Sequence, residues 1–257
     1  MTHYRTALIT GAGSGIGRCF AASLSAQASK LILLDIDEPG LTATATSLGK
    51  SSADLITVTA DVADIPALEG RLKEIAGLVD SLDLLINCAA ILGPGEWASQ
   101  APADFERVLR VDLLGTANAI RATLPWLRRA RGHIVNIAST AALHGWPGLA
   151  AYSAAKFAVV GYSEGIRAEL AREGIGLTVV FPLLIDTPLL NRPGTPPILR
   201  SGRRIPPELV VRKVLQAVPT RRRRVYIPGT VRVIAALQGL APSLLDWYGA
   251  RFGLERP

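Results

Sequence analysis

Seven short apolar runs alternate along this chain with longer segments whose apolar residues recur at helical spacing. The runs, interpreted as strands, are 4–10, Leu31–Asp35, 54–59, 83–87, 133–138, 176–181 and the short Val225–Ile227. The helical stretches lie near 15–28, 40–48, 65–79, 102–128 and 151–172. Several runs are apolar without alternation, which is typical of strands covered on both faces. The rhythm predicts an α/β fold, a doubly wound parallel sheet with helices on both faces and right-handed crossovers.

Length and composition narrow the class of protein further. The 257 residues are 49% hydrophobic, contain neither a repeat nor a linker, and are expected to form a single domain over 1–257. Two cysteines, three histidines and no CxxC pair disfavour a disulfide scaffold and a metal site, and favour the reducing cytoplasm. We see neither a targeting signal nor an apolar run long enough to span a membrane.

A glycine-rich segment follows the first strand and opens the first helix. Gly11, Gly15 and Gly17 have the spacing G-x-x-x-G-x-G, with Ser14 and Ile16 between them. Glycines at such a turn let a pyrophosphate approach the backbone, and the helix N-terminus supplies N–H groups and a positive dipole end. The segment predicts a dinucleotide site. The alternative is a tight strand–helix connection without a ligand.

Asp35 ends the second strand, 18 residues beyond Gly17. A carboxylate there can accept hydrogen bonds from the hydroxyls of an adenosine ribose and would repel a 2′-phosphate. Ser14 and Ile36 supply no compensating positive charge. These residues favour NAD over NADP, unless Asp35 merely caps a loop.

Three polar residues are candidates for the chemistry. Tyr152 and Lys156 are four residues apart on one predicted helix face, and Ser139 ends the fifth strand. Beside an oxidised nicotinamide, an ammonium would favour the phenolate and lower the pKa of the tyrosine. Tyr152 is therefore a candidate general acid or base.

These motifs together make the chain resemble the short-chain dehydrogenase/reductase family over roughly residues 4–230. The matching elements, in order, are TGAGSGIG at 10–17, Asp35, Asp61-Val62, NCAA at 87–90, Asn136, Ser139 and YSAAK at 152–156. The resemblance implies a Rossmann-type, seven-stranded sheet and a homodimer or homotetramer.

The resemblance also implies roles for individual residues. Tyr152 would be the acid/base, Ser139 would orient the substrate oxygen, and Lys156 would bind the nicotinamide ribose. The remaining cofactor contacts would be Asp61 and Val62 near the adenine, Asn87 and Ala89 along the cleft, and Pro182, Ile185 and Thr187 at the nicotinamide.

Three positions depart from the family pattern. Ala90 and Leu183 stand where the family usually has glycine. Leu183 is expected to narrow the cofactor cleft on its nicotinamide side. Asp112 stands where related enzymes carry an asparagine that supports a proton relay from the lysine. A buried Asp112 would either pair with Lys156 or take up a proton, and we expect a relay with a shifted pH optimum.

Family position points to Ala141, His144, Trp146, Leu149 and the 188–207 loop as the substrate wall. Because most of these side chains are apolar, the expected substrate is a lipophilic alcohol or ketone of steroid, acyl or terpenoid type. His144 is expected to be structural or to sit at the pocket edge.

The formal net charge of +7 is unevenly distributed. Residues 191–257 carry 13 basic and 3 acidic groups, whereas residues 1–190 carry 15 and 18. In one reading the amphipathic extension 230–257 lies on an anionic membrane, with Arg221–Arg224 at the headgroups. In the other it covers the substrate mouth or packs on a partner subunit. Nucleic-acid binding is disfavoured because no recognition module accompanies the arginines.

The leading functional prediction is an NAD-dependent oxidoreductase that acts on a secondary alcohol or ketone. One alternative is an NADPH-dependent ketoacyl or carbonyl reductase, against which Asp35 argues. The other is a dinucleotide-binding sensor or scaffold without turnover, which Asp112 and Leu183 motivate.

Overall fold

The computed structural model describes residues 3–196, 199–200 and 202–252, with the side chain of residue 252 left out. Seven parallel strands form one sheet in the order β3-β2-β1-β4-β5-β6-β7. The strands are β1 (Tyr4–Thr10), β2 (Ala28–Asp35), β3 (Asp54–Thr59), β4 (Leu84–Asn87), β5 (His133–Ile137), β6 (Gly176–Pro182) and β7 (Arg224–Ile227). The predicted fold class is confirmed. The strand order reverses between β1 and β4, and a doubly wound sheet binds its ligand outside the carboxyl ends of the strands at that point.

Nine α-helices connect and follow the strands in the described part of the chain. They are α1 (Gly15–Leu24), α2 (Glu38–Ser47), α3 (Ile65–Glu74), α4 (Pro102–Leu109), α5 (Gly115–Ala130), α6 (Ala150–Arg172), α7 (Pro207–Ala217), α8 (Val231–Leu240) and α9 (Pro242–Phe252). The helical stretch predicted near 102–128 is confirmed: α4 continues through a π-helical turn over Arg110–Leu114 into α5. Such turns are frequent at functional sites.

Successive strand residues pack on opposite faces of the sheet, as the pleat requires. Ala7 and Ile9 of β1 join the core beneath α1 and α7, whereas Leu8 joins the core beneath α3, α5 and α6. Neither face of the central strands reaches solvent, so their apolar runs need no alternation. The two cores hold the carboxyl ends of the strands rigidly below the site.

The basic C-terminal region is divided between the two ends of the sheet. Arg221–Arg224 lie at the amino edge, because the first three residues precede β7 and Arg224 begins it, whereas α8 and α9 follow the carboxyl end of β7. Four residues of strand span about 13 Å. The membrane reading with this arginine cluster at the headgroups therefore lacks support from the fold. Within the described ranges, we find no helix that is long and apolar enough to cross a membrane.

Candidate active site

The glycine turn forms the floor of the first part of the site. Gly11 has a φ of +67°, and a Cβ there would lie 2.7 Å from the backbone nitrogen of Ala89. A Cβ on Gly17 would collide with the carbonyl oxygen of Gly11. These positions need glycine because β1, α1 and the segment after β4 approach one another closely.

Asp35 stands at the rim of this turn with both carboxylate oxygens engaged. Its Oδ2 accepts a hydrogen bond from the Gly13 N–H at 2.8 Å, and its Oδ1 accepts one from the Asp37 N–H at 3.0 Å. Arg18 lies nearby, but its guanidinium donates to the Gly13 carbonyl and to Thr44 Oγ1. The backbone thus orients the Asp35 carboxylate, and the Arg18 guanidinium is bound to the turn and to Thr44.

A cavity of about 840 Å³ extends over the glycine turn and Asp35. Ten of the residues predicted to bind the cofactor line it: Gly11, Ser14, Gly15, Ile16, Gly17, Asp35, Asp61, Val62, Ala89 and Thr187. Asn87 was expected in this lining and is not there. It is buried at the end of β4, where its amide donates a 2.8 Å hydrogen bond to Asn136 Oδ1. Asn87 therefore ties β4 to β5 instead of facing the cleft.

A second cavity, of about 460 Å³, adjoins the first and shares Ile16, Cys88 and Thr187 with it. Ser139, Tyr152 and Lys156 line this second cavity, as do Pro182 and Ile185. Leu183 also lines it and has no positive φ, so the backbone here does not require glycine. A long ligand could occupy the first cavity with one end beside Tyr152.

The three candidate catalytic side chains come from β5 and α6. The Lys156 Nζ donates to the Ile137 carbonyl at 3.2 Å and lies 5.4 Å from the centre of the Tyr152 ring. The Ser139 hydroxyl accepts a hydrogen bond from the Ala141 N–H at 3.1 Å. Tyr152 and Lys156 are 8% and 3% exposed, so their charges act in a poorly solvated environment.

Asp112 is fully buried in the π-helical turn, against the lysine. Its Oδ2 lies 3.1 Å from Lys156 Nζ, and its Oδ1 accepts a hydrogen bond from the Ile91 N–H at 2.8 Å. Burial raises the pKa of the Asp112 carboxyl, and the Lys156 charge and the Ile91 N–H lower it, which leaves it above the ordinary value. Of the two possibilities raised by the sequence, the structure has Asp112 paired with the ammonium.

The pKa values of these groups depend on burial and on one another. Burial raises the pKa of the Tyr152 hydroxyl, Lys156 lowers it, Asp112 raises it and a hydrogen bond with Ser139 lowers it, leaving it above the ordinary value. Burial alone would lower the pKa of Lys156, but Asp112 and Tyr152 more than offset this and raise it. The lowered tyrosine pKa expected from the sequence applies beside an oxidised nicotinamide and stays a prediction. Among the protein groups alone, burial and the Asp112 charge outweigh the contribution of Lys156.

The lining of the second cavity matches the predicted substrate wall only in part. Ala141, Trp146 and Leu149 line it, as do Leu189, Leu190, Leu199 and Gly202 of the 188–207 loop; residues 197, 198 and 201 of that loop lie outside the described part. His144 was included among the substrate residues, but it does not line the cavity. Its Nδ1 is 3.0 Å from Gln238 Oε1, and its ring packs edge-on against Trp146.

The C-terminal helices add lining residues beyond the predicted substrate wall. Ile234 of α8 and Leu245 and Tyr248 of α9 line the same cavity as Ser139 and Tyr152. Helical spacing identified them as one apolar face, but spacing alone does not say what that face covers. The packing of α8 and α9 shows that their inner face covers the mouth of this cavity. Residues 253–257 of the predicted extension lie outside the described part of the chain.

The short chain dehydrogenase family model matches residues 5–195. The chain belongs to this family. The resemblance predicted from the motifs is thus confirmed, and the protein is an oxidoreductase of the short-chain dehydrogenase family.

Individual relatives extend the match beyond residue 195. The chain is 30% identical over 238 residues to mouse 17-beta-hydroxysteroid dehydrogenase 13, covering 91% of this chain and 77% of the relative. It is 29% identical over 239 residues to human estradiol 17-beta-dehydrogenase 11, covering 91% and 78%. A crystal structure of a Mycobacterium paratuberculosis short chain dehydrogenase bound to NAD shares the fold, with a TM-score of 0.78 and 23% identity over 87% of this chain and 96% of that one.

Proposed function

We propose that this short-chain dehydrogenase transfers a hydride between NAD(H) and a lipophilic secondary alcohol or ketone, with Tyr152 as the general acid/base. The observation that carries the proposal is the junction of the two cavities. The nucleotide-sized cavity over the glycine turn meets an apolar cavity beside the hydroxyl-bearing side chains of Ser139 and Tyr152.

The preference for NAD rests on Asp35. Its carboxylate is fixed by two backbone N–H groups at the rim of the cleft, where it can accept ribose hydroxyls and would repel a 2′-phosphate. Arg107, Arg110 and Arg192 line the cleft too, but they come from the α4 segment and the 188–207 loop rather than from β2 or the glycine turn. The NAD bound in the structural neighbour agrees with this assignment.

Ser139, Tyr152 and Lys156 would have separate roles in the reaction. When bound, the nicotinamide supplies the hydride acceptor or donor. In alcohol oxidation, Ser139 would orient the substrate hydroxyl and Tyr152 would remove its proton. Lys156 would hold the nicotinamide ribose and keep a positive charge near the tyrosine. In ketone reduction, Tyr152 would return the proton.

Asp112 acts on this chemistry through Lys156. The 3.1 Å ion pair and the bond to the Ile91 N–H fix the ammonium relative to the tyrosine ring. The same carboxylate raises the pKa of Tyr152 and so opposes the effect of the lysine. We assign Asp112 as a positioning residue that forms one ionising unit with Lys156 and Tyr152, in place of the asparagine relay.

The substrate class follows from the lining of the second cavity. Among its described lining residues, Lys156 is the single charged side chain, and it is paired with Asp112. A charged substrate would therefore lack a counter-ion, whereas a neutral apolar body would contact leucine, isoleucine and tryptophan side chains. The hydroxysteroid and estradiol dehydrogenase names of the relatives support a neutral hydroxysteroid or a similar lipophilic alcohol.

The test combines cofactor binding with a substrate panel. Titration of the protein with NADH and with NADPH, followed by fluorescence, should give the tighter complex with NADH. A panel of secondary alcohols from short alkanols to hydroxysteroids should then give kcat/KM values that rise with the apolar area of the substrate. Tight NADH binding without turnover across the panel would favour a sensor, and tighter NADPH binding would favour a carbonyl reductase.

A further inference from the structure

The helix pair α8–α9 has an apolar outer face in addition to the inner face that covers the cavity. On α8, Val233 and Leu240 point outward and are 58% and 86% exposed. On α9, Leu244, Trp247 and Tyr248 follow helical spacing and are 51%, 59% and 43% exposed. Leu240 and Leu244 stand on either side of the turn between the helices. Exposed apolar residues grouped in this way indicate an interaction surface.

The same two helices form part of the substrate cavity. Ile234 and Leu245 point inward to its lining, and Tyr248 contributes to both the lining and the outer face. The Gln238 side chain contacts His144, which seats α8 on the loop that carries Trp146. The outer face is therefore separated from the apolar interior of the cavity by one layer of helix.

Positive charge surrounds this face. Leu199 and Gly202 line the same cavity as α8 and α9, so the exposed Arg200 and Arg203 border its mouth. The helices themselves carry Arg232 and Arg251. Among the described residues of the two helices, Asp246 is the single acidic side chain. The rim thus combines apolar residues, an exposed tryptophan and a tyrosine with a surplus of arginine.

We propose that the outer face of α8–α9 docks this protein on an anionic lipid surface, with Val233, Leu240, Leu244 and Trp247 entering the headgroup region. Helices with one apolar face, interfacial Trp and Tyr, and arginines at the margin have the composition of peripheral lipid-binding elements. Arginines near the surface add attraction to anionic headgroups. The contact uses the rim arginines and not the cluster at Arg221–Arg224, which lies at the other edge of the sheet.

Charge favours a lipid surface over a second copy of the chain. In a two-fold symmetric dimer, the same patch of both subunits would meet. The arginines around one patch would then meet the same surplus of positive charge around the other, which is unfavourable. A layer of anionic headgroups offers the complementary sign to every arginine of the rim.

The docking is tested by flotation of the full chain with phosphatidylcholine vesicles, with and without phosphatidylserine. We expect binding that increases with phosphatidylserine and decreases with salt. Leu240→Ser should weaken the partition coefficient about fivefold, and Leu240→Ser combined with Trp247→Ser at least about tenfold. The matched control is Leu78→Ser, which removes a 56% exposed leucine just beyond α3 and should leave binding unchanged.

Far-UV circular dichroism shows whether each variant has folded, and size-exclusion chromatography reports the oligomeric state. Equal flotation of the double variant and the unaltered chain would overturn the proposal. So would absence of flotation together with an oligomer that the double variant dissociates, which would assign the face to a second copy. Because flotation requires no turnover, either result leaves the proposed redox activity to be judged separately.

Discussion

The two edges of the sheet each bury ionisable side chains close to positive charge, but the groups face different surroundings. At the amino edge, His133 Nε2 is 2.8 Å from Thr178 Oγ1, whose hydroxyl donates to the Arg222 carbonyl at 2.6 Å. At the carboxyl edge, Asp112 and Lys156 pair at 3.1 Å beside Tyr152, and the lysine and tyrosine line a cavity. We call the amino edge the closed edge, because its side chains bond to other protein groups. We call the carboxyl edge the open edge, because its side chains line a cavity that can hold a ligand.

Burial affects the ionisable groups of the two edges differently. Burial, together with the charges of Arg221 and Arg167, lowers the pKa of His133 to about 4, so the histidine is neutral in the folded protein at neutral pH. His133 lines neither cavity of the site, so its effect is expected on stability. At the carboxyl edge, Asp112 pairs with Lys156, and Tyr152 lies beside the cavity.

The largest effect should come from removing the reactive hydroxyl at the open edge. Tyr152→Phe should lower kcat by about 10²–10⁴-fold, the usual contribution of a positioned acid/base. Steady-state kinetics on the best alcohol of the panel measures this, and NADH fluorescence checks that cofactor affinity is retained. Wild-type turnover in the variant would show that Tyr152 is not the general acid/base.

A large effect on stability, but not on chemistry, is expected at the closed edge. The folded pKa of His133 is about 4, below its ordinary value of 6.5, so the unfolded chain binds the proton first as the pH falls. The stabilising contribution is complete above pH 6.5 and is lost between pH 6.5 and 4, by about 3 kcal/mol in total.

Urea unfolding at a series of pH values measures this loss. His133→Gln should flatten the fall in unfolding free energy over that window, while the exposed-residue control His3→Gln should retain it. Parallel curves for His133→Gln and the unaltered protein would show that His133 does not carry the acid sensitivity.

Cofactor choice tests the carboxylate at the rim of the open edge. Asp35→Asn removes the charge that repels a 2′-phosphate, so the ratio of kcat/KM for NAD over NADP should fall by about tenfold. Asp54→Asn is the matched control, because it removes the same charge from the far end of β3. An unchanged ratio in Asp35→Asn would show that this carboxylate stabilises the turn but does not select the cofactor.

The smallest effect is expected where the cover meets the site. Gln238→Leu removes the contact with His144, so α8 should be seated less firmly on the Trp146 loop. We expect KM for the lipophilic alcohol to rise about threefold with kcat unchanged, in keeping with the loss of one hydrogen bond. A fall in kcat with constant KM would point instead to a role for His144 in the reaction.

Much of the open edge could be predicted because it depends on local patterns. Parallel strands bring their carboxyl ends together, so Gly11, Asp35 and Ser139 converge once the strands are recognised. The closed edge was not anticipated, since the contact of His133 with Thr178 depends on the register between β5 and β6. The π-helical turn also escaped prediction, because its residues have ordinary helical spacing.

Other features depend on which surface a segment packs against. The apolar spacing in α8 and α9 was visible in the sequence, but their position over the cavity comes from tertiary contacts with His144 and Trp146. The pKa of Tyr152 likewise required burial to be known, because the lysine spacing gave only one of the opposing contributions.

The central claim is that Asp112, Lys156 and Tyr152 ionise as one unit at the open edge. The pH dependence of kcat/KM for alcohol oxidation in Asp112→Asn tests it most directly, with Thr116→Val as the control that loses only a hydrogen bond to the Asp112 carbonyl. Because the Asp112 charge raises the pKa of Tyr152, its removal should move the rising limb towards acid, whereas the control should not move it. A limb that stays in place, or moves towards alkaline pH, would contradict the claim.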